Sequence, residues 1–180
     1  MNTLAATVMN RYLSASAHFE FTGAIMVSAP IIESIQREGE KAMRELIGDE
    51  ADEYIRARQQ RDGSKAHMTV VGPPEARKVL DFLADEALKA DPSLSKGKAK
   101  DAAKTKLKEL MASWDLGSLR SKGLGRVEAG GKEAYFMVVD WPKGRDLRKD
   151  LGIDPDGQDF HVTVGFKGGD VHGVRKNRPL

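Results

Sequence analysis

Apolar positions change their spacing several times along the chain, and each change predicts an element. Phe21, Ala24, Ile25 and Val27 lie in a short apolar stretch over Phe19 to Val27 that ends before Pro30, which predicts a strand. Ile31, Ile32, Ile35, Ala42, Met43 and Leu46 then recur at helical spacing and predict an amphipathic helix over residues 31–47. Gly48 to Lys65 is polar, carries Arg56, Arg58 and Arg61, and reads as a long loop or a loosely held helix. A short strand, Ala66 to Val71, closes at Gly72-Pro73-Pro74. A second helix from near Glu75 puts Ala76, Val79, Leu80, Leu83 and Ala87 on one face until Pro92 interrupts it. A third, over residues 98–114, does the same with Ala99, Ala103, Leu107, Leu110 and Trp114.

The remainder predicts mainly strands. Leu124 to Glu128 and Glu133 to Trp141 flank Ala129-Gly130-Gly131-Lys132, a hairpin pattern. A short helix is expected over Gly144 to Asp150, a turn at Asp154-Pro155-Asp156-Gly157, and a strand over Phe160 to Phe166. The basic tail with Arg175, Lys176 and Arg178 is expected to be mobile. The order is not a regular alternation of strand and helix, so it predicts an α+β fold with antiparallel sheets.

One internal repeat stands out: His67-Met68-Thr69-Val70 against His161-Val162-Thr163-Val164. Side chains alternate across a strand, so in each copy His and Thr share one face while the two apolar residues share the other. Two such strands facing one cleft present two imidazoles and two hydroxyls to one ligand. That set suits a phosphodiester. Histidine titrates near neutrality, so a pair can hold one base and one acid at pH 7. Threonine hydroxyls can donate to the non-bridging phosphate oxygens, where charge must be held. The alternative is a pair of strands with a polar outer face.

Composition narrows the chemistry further. The 180 residues suffice for one globular domain or two small lobes around a cleft, and 40% apolar with 31% charged residues is an ordinary globular balance. The absence of cysteine excludes disulfides, thiolate nucleophiles and cysteine-bound zinc, and fits a cytoplasmic location. No apolar run approaches the ~18 residues of a membrane span. Met1 to Glu20 lacks a leader's apolar core, and Arg11 is its only basic side chain. There is no His-x-His and no His-Glu-x-x-His, so neither metal nor cofactor is expected. A net charge of +2 does not itself select a partner.

Lys65, two residues before His67 on the same strand parity, and Lys167, four after Thr163, are candidate phosphate contacts. His172 reads as a surface turn and His18 as structural or exposed. Lys96, Lys98, Lys100, Lys104, Lys106 and Lys108 read as a solvated helix face rather than a nucleic-acid track. Trp114, Trp141 and Tyr135 could stack a base, but buried packing is commoner. Lys122-Gly123-Leu124-Gly125 is too short to mark a phosphate loop.

The doubled His-apolar-Thr-apolar motif, in a chain of this size, resembles the 2H phosphoesterase superfamily. Phe160 to Lys176 (FHVTVGFKGGDVHGVRK) resembles its Swiss Army Knife RNA repair-like branch. The resemblance implies a single bilobal domain over residues 1–180, two pseudo-symmetric lobes flanking a central cleft, and metal-independent chemistry. It makes His67 and His161 the acid/base pair and Thr69 and Thr163 the phosphate-binding hydroxyls. The implied substrate is a 2′,3′-cyclic phosphate at an RNA end or a related nucleotide, handled by a monomer away from membranes. The alternatives are a phosphodiesterase of cyclic di- or oligonucleotides, a non-catalytic binder of nucleotides or RNA ends, and a metal hydrolase.

Overall fold

The computed structural model describes residues 17–180. Residues 1–16, including Arg11 and most of the stretch expected to lack a leader's core, lie outside the described residues. The chain is α+β, with two antiparallel three-stranded sheets and helices between their strands.

The first sheet comprises β1 (His18–Phe21), β2 (Ile25–Ser28) and β3 (Met68–Val71), in that order. The second comprises β4 (Arg120–Ala129), β5 (Lys132–Asp140) and β6 (His161–Lys167), also in order. Each is a hairpin followed, after helical segments, by a third strand laid antiparallel on the second. The stretch expected as one strand over Phe19 to Val27 is therefore two. It folds back at Thr22-Gly23-Ala24, where the Thr22 N–H donates to the Ala24 carbonyl at 3.0 Å.

Helix α1 (Pro30–Ile47) starts on Pro30, whose missing N–H costs nothing in a first turn. It buries Ile32, Ile35 and Met43. The polar stretch that followed in the sequence is not a loop. After one 3₁₀ turn it forms α2 (Ala51–Asp62), which buries Ala51, Tyr54, Ile55 and Arg58. Helices α3 (Pro73–Ala90) and α4 (Lys96–Ala112) pair with one another, and α4 reaches β1. The Ser95 hydroxyl caps α4 by accepting from the Lys98 N–H at 3.2 Å. The lysines of α4 are all exposed. Helix α5 (Pro142–Asp150) ends the set. No described helix is long and apolar enough to cross a membrane.

Three of the helices pack on the sheet that they do not interrupt in sequence. Helices α1 and α2, which lie between β2 and β3 along the chain, pack on β6 of the other sheet; α5, between β5 and β6, packs on β3. Gly165 permits this, since a Cβ there would stand 2.8 Å from the Tyr54 backbone and hold α2 away from β6. One buried core runs through both sheets, from Ile25 and Met68 to Met137 and Val164.

Candidate active site

Strands β3 and β6 are each the last strand of their sheet, and they lie against one another. The two motifs therefore meet at the seam between the lobes. Met68, Val70, Val162 and Val164 are fully buried, while His67, Thr69, His161 and Thr163 are half-buried on the opposite face. His67 stands one residue before β3 and His161 opens β6. All four line one cleft of about 610 Å³.

Both motif strands are bulged, and at the same position. Thr69 pairs with Met26 and Val71 with Ile25, which leaves Val70 as the extra residue. Thr163 pairs with Phe136 and Gly165 with Tyr135, which leaves Val164. A bulge takes one residue out of the ladder and re-aims its neighbours. The carbonyl at each bulge is then satisfied by a buried arginine. Arg148 of α5 donates Nη1 to Val70 O at 2.9 Å, and Arg58 of α2 donates Nη1 to Val164 O at 3.0 Å. Each guanidinium has a carboxylate partner: Glu75 at 2.7 Å from Arg148, and Glu40 at 2.9 Å from Arg58. Arg148 also donates to Asp154 O at 2.9 Å. Sequence reasoning noted Arg58 only as one of three basic residues and did not single out Arg148. The signal was present, because an Arg at an apolar position of a short helix needs a partner.

The two imidazoles sit in different surroundings. His161 Nδ1 lies 2.7 Å from the Asp159 carbonyl, which can only accept, so Nδ1 carries the hydrogen and Nε2 is the free nitrogen. The ring also packs edge-on to Phe136. Burial, and then the positive charge of Lys176, push the His161 pKa down to about 4, opposed only in part by the Asp159 carbonyl and the charges of Asp170 and Asp159. His161 is thus neutral at pH 7, with a lone pair on Nε2. Among the described residues, no hydrogen bond fixes the His67 ring.

Basic side chains gather at the cleft from α2 and from residues 171–180. Arg61 donates to Asp170 at 2.7 Å and stacks on Phe166. Lys176 is buried, 3.1 Å from Asp170. Burial opposes the ionisation of Asp170, but hydrogen bonds and charge from Arg61 and Lys176 outweigh it and hold that carboxyl below its ordinary range. Asp159 accepts both Arg175 hydrogen bonds at 2.8 Å and the Lys176 N–H at 3.0 Å. The tail expected to be mobile is therefore docked. Its Arg175 pairs with and fastens Asp159, the same residue whose carbonyl orients His161.

Of the candidate phosphate contacts, Lys65 borders a smaller groove beside His67. Lys167 lies at the far end of β6, 3.7 Å from Glu53 and beside the Tyr54 ring, and is not among the residues lining the cleft. His172 is exposed on the cleft rim. His18 is exposed, near Glu20. Trp141 is buried, its indole N–H donating to Leu116 O at 2.6 Å, while Trp114 packs on Phe19 and Tyr135 on Tyr54. Among the described residues, no group of three or more His, Asp or Glu forms a metal-ligand set. The residues that sequence reasoning missed as site members are Arg61, Asp159 and Asp170.

A two-lobed α+β fold that brings two His/Thr strand faces to one seam defines a phosphoesterase architecture. The family model described as Swiss Army Knife, 2H phosphoesterase domain, matches residues 33–172, and the chain belongs to that family. Its function is accordingly of the phosphodiesterase kind. No curated protein and no solved structure matches the chain.

Proposed function

We propose that the protein hydrolyses a 2′,3′-cyclic phosphate at an RNA end by general acid–base catalysis without a metal ion. The observation that carries the proposal is the convergence of His67, Thr69, His161 and Thr163 on one cleft. His161 is the base: its Nδ1–H is committed to a carbonyl, and its Nε2 is unprotonated at neutral pH. It takes the proton from the attacking water. His67, which no hydrogen bond fixes among the described residues, is the acid and gives a proton to the departing ribose oxygen. The two Thr hydroxyls donate to the non-bridging oxygens, where charge accumulates in the transition state. Water and leaving oxygen lie in line across phosphorus, so one imidazole serves each side. The products are a single monophosphate isomer and a free hydroxyl. Turnover leaves His161 with the proton taken from water and His67 without its own, and the starting state returns when His161 passes its proton to solvent and His67 takes one up.

The test is incubation in EDTA with ribonucleoside 2′,3′-cyclic phosphates, cyclic-ended RNA, matched DNA and cyclic dinucleotides, followed by product identification. The proposal expects cleavage of the cyclic ends to one isomer and little action on DNA, which has no 2′-hydroxyl. Preference for cyclic dinucleotides moves the protein to signal degradation. Binding without turnover makes it a reader of RNA ends, and activity lost in EDTA and restored by a metal overturns the mechanism.

A further inference from the structure

A second groove of about 430 Å³ is lined by Arg126, Val127, Phe136, Arg175, Asn177 and Arg178. Three of its six lining residues are arginines and none is acidic. Residues 178–180 form one wall by lying along β4, where the Leu180 N–H donates to Leu124 O at 2.7 Å. Gly125 makes room for this wall, since a Cβ there would stand 2.6 Å from the Arg178 carbonyl and 2.5 Å from the Phe136 ring. The short glycine pair at 123 and 125 thus serves backbone contact with the tail.

The groove connects to the cleft through two side chains. Arg175 lines both. Phe136 lines the groove and carries the His161 ring against its edge. The three guanidiniums are not equally available. Arg126 is held by Glu133 and by Glu128 at 3.2 Å, and Arg175 by Asp159. Arg178 is exposed and has no acidic partner among the described residues. A guanidinium offers a planar fork that matches two phosphate oxygens. Asn177 adds an amide beside it.

We propose that this groove is a second phosphate subsite, which holds the next phosphodiester of a linear RNA strand whose cyclic end occupies the cleft. The inference rests on the reading of the cleft as an RNA-end site and adds that the substrate is an oligonucleotide rather than a mononucleotide. Arg178 makes the principal contact, and Arg175 joins the two sites.

The experiment measures KM for a nucleoside 2′,3′-cyclic phosphate and for a cyclic-ended tetraribonucleotide, with the unaltered protein and with Arg178→Glu and Arg178→Lys. Arg178→Glu should raise KM for the tetranucleotide about tenfold and leave kcat and the mononucleotide KM unchanged. Arg178→Lys should recover part of the loss. The slope of log KM against log salt should fall by roughly 0.7, the value for one phosphate contact on a single strand. Equal shifts on both substrates, or no shift on the tetranucleotide, overturn the subsite. Fluorescence anisotropy with a 5′-labelled, 3′-phosphorylated tetraribonucleotide supplies a readout that needs no turnover. Arg178-dependent binding without hydrolysis of any cyclic end keeps the subsite and removes the cyclic-end reading. Hydrolysis of the mononucleotide with no Arg178 dependence anywhere does the reverse.

Discussion

The two copies of the motif share a strand face, a bulge and a buried arginine, yet they hold their imidazoles differently. In the second copy, His161 is tied through Nδ1 to a carbonyl, packed on a phenyl ring and placed within the field of a buried ammonium. In the first, no hydrogen bond among the described residues fixes the His67 ring. Identical chemistry in sequence thus sits in two different surroundings, and the difference comes from residues outside the motif. The common features set where the imidazoles stand, and the features that differ set what each can do with a proton.

The common scaffold carries the largest expected effect. Arg148→Met leaves Glu75 and the carbonyls of Val70 and Asp154 without their donor. It should cost about 3 kcal/mol, read in thermal unfolding as a fall of roughly 10 °C for a chain of this size. Arg58→Met should cost less, because Arg58 serves one carbonyl rather than two. Equal and negligible losses would show that the bulges hold without their arginines.

His67→Ala and His161→Ala should each lower kcat by at least ~10²-fold on a cyclic phosphate. A phosphodiester with a p-nitrophenyl leaving group separates their roles, since nitrophenolate departs without a proton. On it His67→Ala should regain most of its rate and His161→Ala should not. The opposite pattern would exchange acid and base.

Thr69→Ala and Thr163→Ala each remove one donor to the phosphate and should cost about tenfold. A loss confined to one of them would show that the lobes do not share the phosphate evenly.

The smallest effect is on pH. His161 must be unprotonated to act, and its pKa lies near 4, so kcat/KM should fall on the acid side only as pH drops through about 4 rather than through the ordinary imidazole range. Lys176→Met removes one of the two causes of that depression and leaves Asp170 paired with Arg61. The acid limb should then move to higher pH. An unmoved limb would assign the depression to burial alone.

How much of this was legible in the sequence varies by region for physical reasons. The faces of β3 and β6 follow from strand alternation alone, and the helices α1, α3 and α4 follow from apolar periodicity. Helix α2 was legible only as one of two alternatives, because its buried stripe includes Arg58, which reads as polar until its partners Glu40 and Val164 are known. The β1–β2 turn was hidden because Thr22-Gly23-Ala24 interrupts the apolar run only briefly. The bulges at Val70 and Val164 leave no trace in residue type, since they depend on pairing register. The docked tail depends on Asp159 and Asp170, whose role follows from how the chain after β6 turns back on itself and, for Asp170, from Arg61, 109 residues earlier.

The crossed packing of the helices also constrains how the molecule reaches its native state. Arg58 and the carbonyl it serves are separated by 106 residues, and Arg148 and its carbonyl by 78. Such closures bear their entropic cost before any contact rewards them, which slows folding relative to a chain of local contacts. During synthesis, α1 and α2 emerge long before β6, the surface they cover, and must wait with Ile32, Ile35 and Tyr54 lacking their final partners. Neither lobe can complete its interior without the other, so the pair should melt as one cooperative unit.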